Sequence, residues 1–454
     1  MNETYQLMAK RKRKIQDPDA MYNLFKSYVC FIVKHSFKEI KYIGLDKIPT
    51  DGAVILAPNH SNALMDALVV VSRGKEPTVF VARADIFKNP TLAKIFHFFK
   101  IMPIMRIRDG VSEVKKNDDT IQKSIDVLLD KVPFCILPEG THRAKHSLLP
   151  LGKGIFRIAI QTQELLEDKV PLYIVPMGLE YGNFFRFRST VHVQVGDPIN
   201  VKDFLAARPD TPTPVVMNEM KEVLTERMRD IIVYIPDDEH YDATYELCAV
   251  MNNQYSRRYI KENPGQKRRS LTTRYNCNKE IVKNIQTLRA EKPQEAEELL
   301  SMAKKFHDAR EKAKISLSSA VVKRPLYSNL LKNIIFLITL PYTIPASLVT
   351  LPLTGVIGFL LSKFRDRAFH NSVRFVVTLI LWPILLIIYA TVAFCLLPWE
   401  WAVAAWLLTV PAPFIAQDSY RLLRIMISDV KYTTNGKLRR MAKELRQKFN
   451  KCIK

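Results

Sequence analysis

Between about residues 40 and 200, short apolar runs alternate with longer stretches of helical period. The strand candidates are Ala53 to Ala57, Thr78 to Ala82, Ile101 to Met105, Pro133 to Leu137, Tyr173 to Met177 and Val191 to Val195. Between them, 64–73, 90–99, 112–131 and 152–164 read as helices. Such alternation predicts an α/β layered domain with a largely parallel sheet flanked by helices. In such sheets ligands sit in the crevice outside the strand ends. Upstream, in 21–39, Leu24, Phe25, Tyr28, Val29, Phe31 and Ile32 share one helical face with Lys26, Lys34 and Lys38 outside it. That segment is too short to span a bilayer, and an interfacial helix or a core helix fits it. Residues 206–325 are polar and read as mostly helical, with His240 and His307 expected on a solvated surface.

The pattern changes after residue 325. Asn333 to Ser362 carries no charged side chain but is interrupted by Pro341, Pro345 and Pro352. Two more uncharged runs follow, Phe375 to Trp399 and Trp401 to Gln417. Soluble core helices rarely need so long an uncharged stretch, which predicts a membrane region over 326–430. The 362–374 loop holds Lys363, Arg365, Arg367 and Arg374 against Asp366, and the tail from Lys431 holds nine Lys or Arg against Glu444. Both basic flanks are expected on the cytoplasmic side. The second and third runs then form a transmembrane hairpin, and the first a proline-broken dip or tight helical pair. The expected organisation is a basic tail and interfacial helix (1–39), an α/β domain (40–205), a charged helical segment (206–325), the membrane region (326–430) and a basic cytoplasmic tail (431–454).

With 454 residues the chain has room for two or three domains, and its net charge is +23. That surplus favours an anionic partner, and the hydrophobic spans make an acidic lipid surface a better partner than nucleic acid. The run Lys10 to Lys14 lacks a following apolar stretch long enough for a secretory leader. Six cysteines without close spacing predict free thiols in a reducing compartment and no metal site.

The chemistry collects at the strand ends. Pro58-Asn59-His60-Ser61-Asn62-Ala63-Leu64-Met65-Asp66 follows the first strand candidate. An imidazole there can accept a proton near neutral pH, and a carboxylate on its other nitrogen fixes the tautomer, which pairs His60 with Asp66. Pro103-Ile104-Met105-Arg106 brings a guanidinium out of an apolar strand, to meet a phosphate or a structural carboxylate. Leu137-Pro138-Glu139-Gly140-Thr141-His142-Arg143 makes a turn with backbone N–H groups, a hydroxyl and a bidentate donor for an anion. Val175-Pro176-Met177-Gly178 ends the fifth strand in a tight turn.

In this order and spacing the four segments resemble the four blocks of the glycerolipid acyltransferases, the glycerol-phosphate and lysophosphatidate acyltransferase family, over roughly residues 40–200. The resemblance implies that His60 is the general base on an acceptor hydroxyl and Asp66 its orienting partner. It implies that Arg106, Glu139, Gly140, Thr141 and Arg143 hold the acceptor phosphate. Val175, Pro176 and Gly178 would line the acyl-donor side. The donor would be acyl-CoA or acyl carrier protein, with no cofactor, and the acceptor glycerol-3-phosphate or its 1-acyl form in a membrane. Five residues separate His60 from Asp66, where the usual family pattern has four; this spacing is similar to the fungal-type glycerol-3-phosphate acyltransferases, which also carry C-terminal membrane spans. An irregular helix start must then bring Asp66 back to His60.

The residues agree with that chemistry. A Gly-x-Ser-x-Gly elbow, a metal-ligand spacing and a glycine-rich nucleotide loop are all missing from the sequence. Competing readings are acyl transfer to another head group (an amino-acid lipid or a lysophospholipid in remodelling), a non-catalytic membrane adaptor, and a nucleic-acid binder suggested by charge alone.

Overall fold

The alternating segments assemble into one eight-stranded sheet in the computed structural model, which describes residues 13–105, 117–167, 169–320 and 325–453. Helix α1 (Ala20–Ser36) runs directly into β1 (Phe37–Ile43). Then come β2 (Ala53–Pro58), α2 (Leu64–Val71), β3 (Val79–Arg83), α3 (Pro90–Phe98), β4 (Ile101–Ile104), α4 (Asn117–Leu129) and β5 (Phe134–Cys135). The sheet is completed around α5 (Gly154–Leu166) by β6 (Leu172–Tyr181), β7 (Ser189–Val195) and β8 (Ile199–Asn200). The strand order is β1-β7-β6-β2-β5-β3-β4, parallel except where β6 meets β7 and β8. Central β2 lies between β5 and β6 and all six of its residues are buried, which is why it reads as an unbroken apolar run. Ile55 faces a core with Phe134, Phe156 and Leu224, while Val54 and Leu56 face the opposite core with Met65, Val69 and Val175. All six cysteines are free thiols.

Two local expectations need correction. The 21–39 segment is helical only to Ser36, and β1 follows it as an edge strand. Lys38, Glu39 and Lys41 hide its strand character in the sequence while guarding the open edge. The helix also presents a different face to the core: Tyr22, Lys26, Val29, Ile32 and Val33 are buried, whereas Leu24, Phe25 and Phe31 stay exposed. Lys26 is accepted inside because its Nζ donates to the carbonyls of Gly74 (3.0 Å) and Glu76.

Helices α6 (Val201–Ala206) and α7 (Thr213–Asp230) cover the sheet. A separate bundle forms from α8 (Tyr241–Glu262), α9 (Leu271–Glu291), α10 (Pro293–Lys312) and α11 (Leu317–Ala320). Four apolar helices follow: α12 (Pro325–Val349), α13 (Leu351–Lys363), α14 (His370–Leu396) and α15 (Trp399–Thr409). Then come α16 (Ala412–Thr434) and α17 (Gly436–Cys452). The last of these gives the basic 431–454 segment a packed helix. Leu438, Ala442, Leu445, Phe449 and Cys452 recur at three- and four-residue steps and insert into the bundle core beside Leu299 and Phe306. His307 is not on a solvated surface either: its Nδ1 lies 3.0 Å from Glu246, which is fully buried and receives two bonds from Arg310.

Among the described residues two helices, over Leu326–Val349 and Arg367–Leu396, are long and apolar enough to cross a membrane, and α15 with α16 adds a third candidate bent by 50°. In α12 the hydroxyls of Thr339, Thr343 and Ser347 return hydrogen bonds to carbonyls of the preceding turn. Indole and phenol groups join the helices, from Trp382 to the Val410 carbonyl and from Tyr389 to that of Val349.

Candidate active site

The His60 turn is built from its neighbours. Asn59, at the end of β2, is buried and bonds the backbone of Leu179 in both directions (2.6 and 3.4 Å), fixing where the chain leaves the sheet. Ala63 takes a positive φ of 48° just before α2, a conformation L-residues avoid. That residue absorbs the extra position between His60 and Asp66. As a result Asp66 Oδ2 receives His60 Nδ1 at 2.8 Å, the Ser61 amide at 2.8 Å and the Asn62 amide at 2.7 Å. Asp66 Oδ1 receives the Tyr181 hydroxyl at 2.7 Å, and the carboxylate is fully buried. With the proton on Nδ1, His60 presents Nε2 as a proton acceptor to a cleft that its ring lines.

A second turn is tied to the first. Glu139 Oε1 accepts the His60 amide at 2.6 Å and Oε2 the Leu149 amide at 2.8 Å. Glu139 thus ties the β5–α5 connection both to itself and to the His60 turn. Burial raises its pKa to about 7, against the lowering effect of those two N–H bonds and of His60. Gly140 has φ +63° and donates its N–H back to the Leu137 carbonyl, so the donor groups of this turn are partly used within it. Arg143 bonds the His60 carbonyl through its amide, but its side chain turns to Asp237 and Ser147 and does not line the cleft. The neighbouring His142 ring lies 5.5 Å from the His60 ring, and its Nε2 meets Asp366 at 3.3 Å. Burial, then the proximity of His60, lowers the pKa of His142.

The cleft has a volume of about 580 Å³ and brings His60, Glu139, Gly140 and Thr141 together. Its walls include the apolar Val81, Ile104, Leu151 and Met217, and three cations, Arg83, Lys153 and Arg157. Lys153 immediately precedes α5, whose N-terminal amides give that end a partial positive charge. Motif reading missed Lys153, Arg157, Tyr181 and His142; the Gly-Lys-Gly that opens α5 was the available signal. Arg106 lies outside the described residues. Val175, Pro176 and Gly178 are buried within β6, and none lines the cleft. Gly178 is required there by packing, since a Cβ would stand 2.3 Å from the Ile231 carbonyl. Among the described residues no cluster of His, Cys, Asp and Glu is arranged to hold a metal.

Residues 39–180 match the family model named Acyltransferase. Glycerol-3-phosphate O-acyltransferase 1 of Saccharomyces cerevisiae is 29% identical over 331 residues, covering 54% of this chain and 43% of its own. Glycerol-3-phosphate O-acyltransferase 2 of the same yeast is 28% identical over 134 residues, or 29% of this chain and 17% of its own. The chain therefore spans less than half the length of these relatives. The crystal structure of the 1-acyl-sn-glycerophosphate acyltransferase from Thermotoga maritima aligns at 17% identity and a TM-score of 0.35, over 50% of this chain and 87% of that one. At that level the structural likeness carries no weight. Residues 39–180, the part similar to the acyltransferase family model, hold both the His60 turn and the Glu139 turn.

Proposed function

We propose that the protein is a membrane-bound O-acyltransferase that moves a fatty acyl group from acyl-CoA, or acyl carrier protein, to a hydroxyl of glycerol-3-phosphate or its 1-acyl form. The observation that carries this reading is His60, bonded to Asp66 at 2.8 Å and lining the same cleft as Thr141 and Lys153. His60 Nε2 takes the proton of the acceptor hydroxyl as its oxygen attacks the thioester carbonyl. The imidazolium that forms is stabilised by Asp66. Collapse of the tetrahedral adduct breaks the C–S bond, completes the ester and returns the proton to the departing thiolate. A thioester is already activated, so a base and good positioning suffice.

Thr141, Lys153 and the amide end of α5 form the phosphate side of the cleft in this reading, with Arg157 nearby and itself bonded to Asp118 at 3.1 Å. Arg106 would join them by the Pro-x-x-Arg motif of the sequence. The names of the yeast relatives favour glycerol-3-phosphate as acceptor. Basic flanks around 363–374 and beyond 431 favour a cytoplasmic catalytic face.

The test uses the full chain in detergent with a radiolabelled acyl-CoA and a panel of acceptors. Label should enter glycerol-3-phosphate or its 1-acyl form and disappear with His60→Ala. Transfer that survives this change places the base elsewhere, and transfer only to acceptors without phosphate rejects the assignment.

A further inference from the structure

A second concentration of positive charge lies where the β6–β7 connection meets α14 and α16. That connection reads Asn183-Phe184-Phe185-Arg186-Phe187-Arg188. Arg188 pins it: Nη1 donates to the carbonyls of His35 (2.7 Å) and Phe37 (3.0 Å), and Nη2 pairs with Asp418 at 2.6 Å. Arg421 donates to the Arg188 carbonyl at 2.8 Å. The carboxylate of this corner is thereby consumed. Arg186, from the same loop, makes no ion pair and no side-chain hydrogen bond among the described residues, and neither do Arg374 or Arg424.

Arg421 and Arg424 are i, i+3 neighbours on α16, and Arg421 meets the loop at the Arg188 carbonyl (2.8 Å), two residues from Arg186. Burial lowers the pKa of Arg186, and the charges of Arg421 and Arg424 lower it further. Arg424 stands 5.8 Å from the centre of the Tyr420 ring. Guanidinium groups gathered in this way repel one another unless an anion joins them. Next to them α16 leaves Tyr420, Leu423 and Ile427 exposed at helical spacing on the face of Arg424.

We propose that this corner binds an anionic phospholipid, with Arg186, Arg421 and Arg424 on its phosphate and Leu423 and Ile427 along its acyl chain. Guanidinium forks suit phosphate oxygens. Inorganic phosphate or the phosphates of CoA offer the same anion without a chain, and the exposed apolar face selects the lipid. None of these residues lines the catalytic cleft, so the site stands whatever reaction the cleft performs.

The full chain in neutral detergent is titrated with dioctanoyl phosphatidylglycerol or dioctanoyl phosphatidylcholine, and bound lipid is counted by native mass spectrometry. Phosphatidylglycerol should bind and phosphatidylcholine should not. Arg186→Gln and Arg424→Gln should each weaken binding about tenfold, the scale of one charged hydrogen bond. Leu423→Ala should weaken it without changing charge, and Arg186→Lys, which keeps the charge but not the fork, should lose less than Arg186→Gln, which separates lost charge from lost folding. Equal binding of both lipids, an unaffected double glutamine variant, or displacement by millimolar phosphate or CoA overturns the proposal.

Discussion

Two histidine–carboxylate pairs of nearly equal dimensions sit in different halves of this molecule. His60 meets Asp66 at 2.8 Å with the imidazole 17% exposed, and His307 meets Glu246 at 3.0 Å with the imidazole 20% exposed. Both carboxylates are fully buried. The contrast lies in the other donors. Glu246 also takes Arg310 Nε at 2.6 Å and Nη2 at 2.8 Å, so its charge is already matched. Asp66 is held by two amides and a tyrosine hydroxyl, which carry no charge. A proton arriving on His60 therefore meets a carboxylate with no other cation on it. A third pair, His146 and Glu180 at 2.7 Å, is closed off between Phe184 and Tyr245. The bond length of such a pair does not identify a base; the remaining partners and the space beyond the second nitrogen do.

The largest effect expected is on turnover. His60→Gln should lower acyl transfer by about 10²–10⁴-fold, the usual contribution of a general base, whereas His307→Gln should leave the rate per folded molecule unchanged. Equal losses in steady-state assays would erase the distinction. Next, Arg310→Ala strands Glu246 without its cation and should reduce stability by about 3–5 kcal/mol. A thermal midpoint in detergent matching that of the unaltered protein would show that the pair is idle.

Glu139 gives a pH test of the catalytic half. Its folded pKa of about 7 stands above the ordinary 4.5, so protonation favours the folded state. That contribution is complete below about pH 4.5 and is lost as the pH rises through 7, on the order of 3 kcal/mol. Relative to Glu139→Gln, the unaltered protein should lose stability across this window; parallel pH profiles would refute it. The smallest effect is at the helix start. Ala63→Gly relieves a positive φ and should stabilise by about 1 kcal/mol without loss of turnover, and a lower melting point would show that Ala63 is not strained.

Much of this was legible in the sequence because two periods dominate it. Buried parallel strands announce themselves as unbroken apolar runs, and β2 to β4 fall where Ala53, Thr78 and Ile101 begin such runs. Edge strand β1 was hidden because its charged residues interrupt the apolar signal, and α17 because seven basic residues obscure Leu438, Leu445 and Phe449. The strand-end motifs placed His60, Asp66, Glu139, Gly140 and Thr141 in one region, and they do converge. Arg143 turned elsewhere because Asp237, ninety-four positions downstream, claims it. Tyr181 joined the site because β6 runs four residues past the expected end at Met177, which no local pattern signals.

The bundle core joins Ala320, just before the apolar helices, to Leu438, just after them. Chain leaving that bundle at α11 must come home to it at α17, so any bilayer it enters is crossed an even number of times. The Asp366 contact with His142 applies the same constraint halfway, splitting the excursion into two returns. Whichever compartment holds the sheet also holds the bundle and the 364–369 loop, and adding or deleting a single full crossing would tear one of them from its partner.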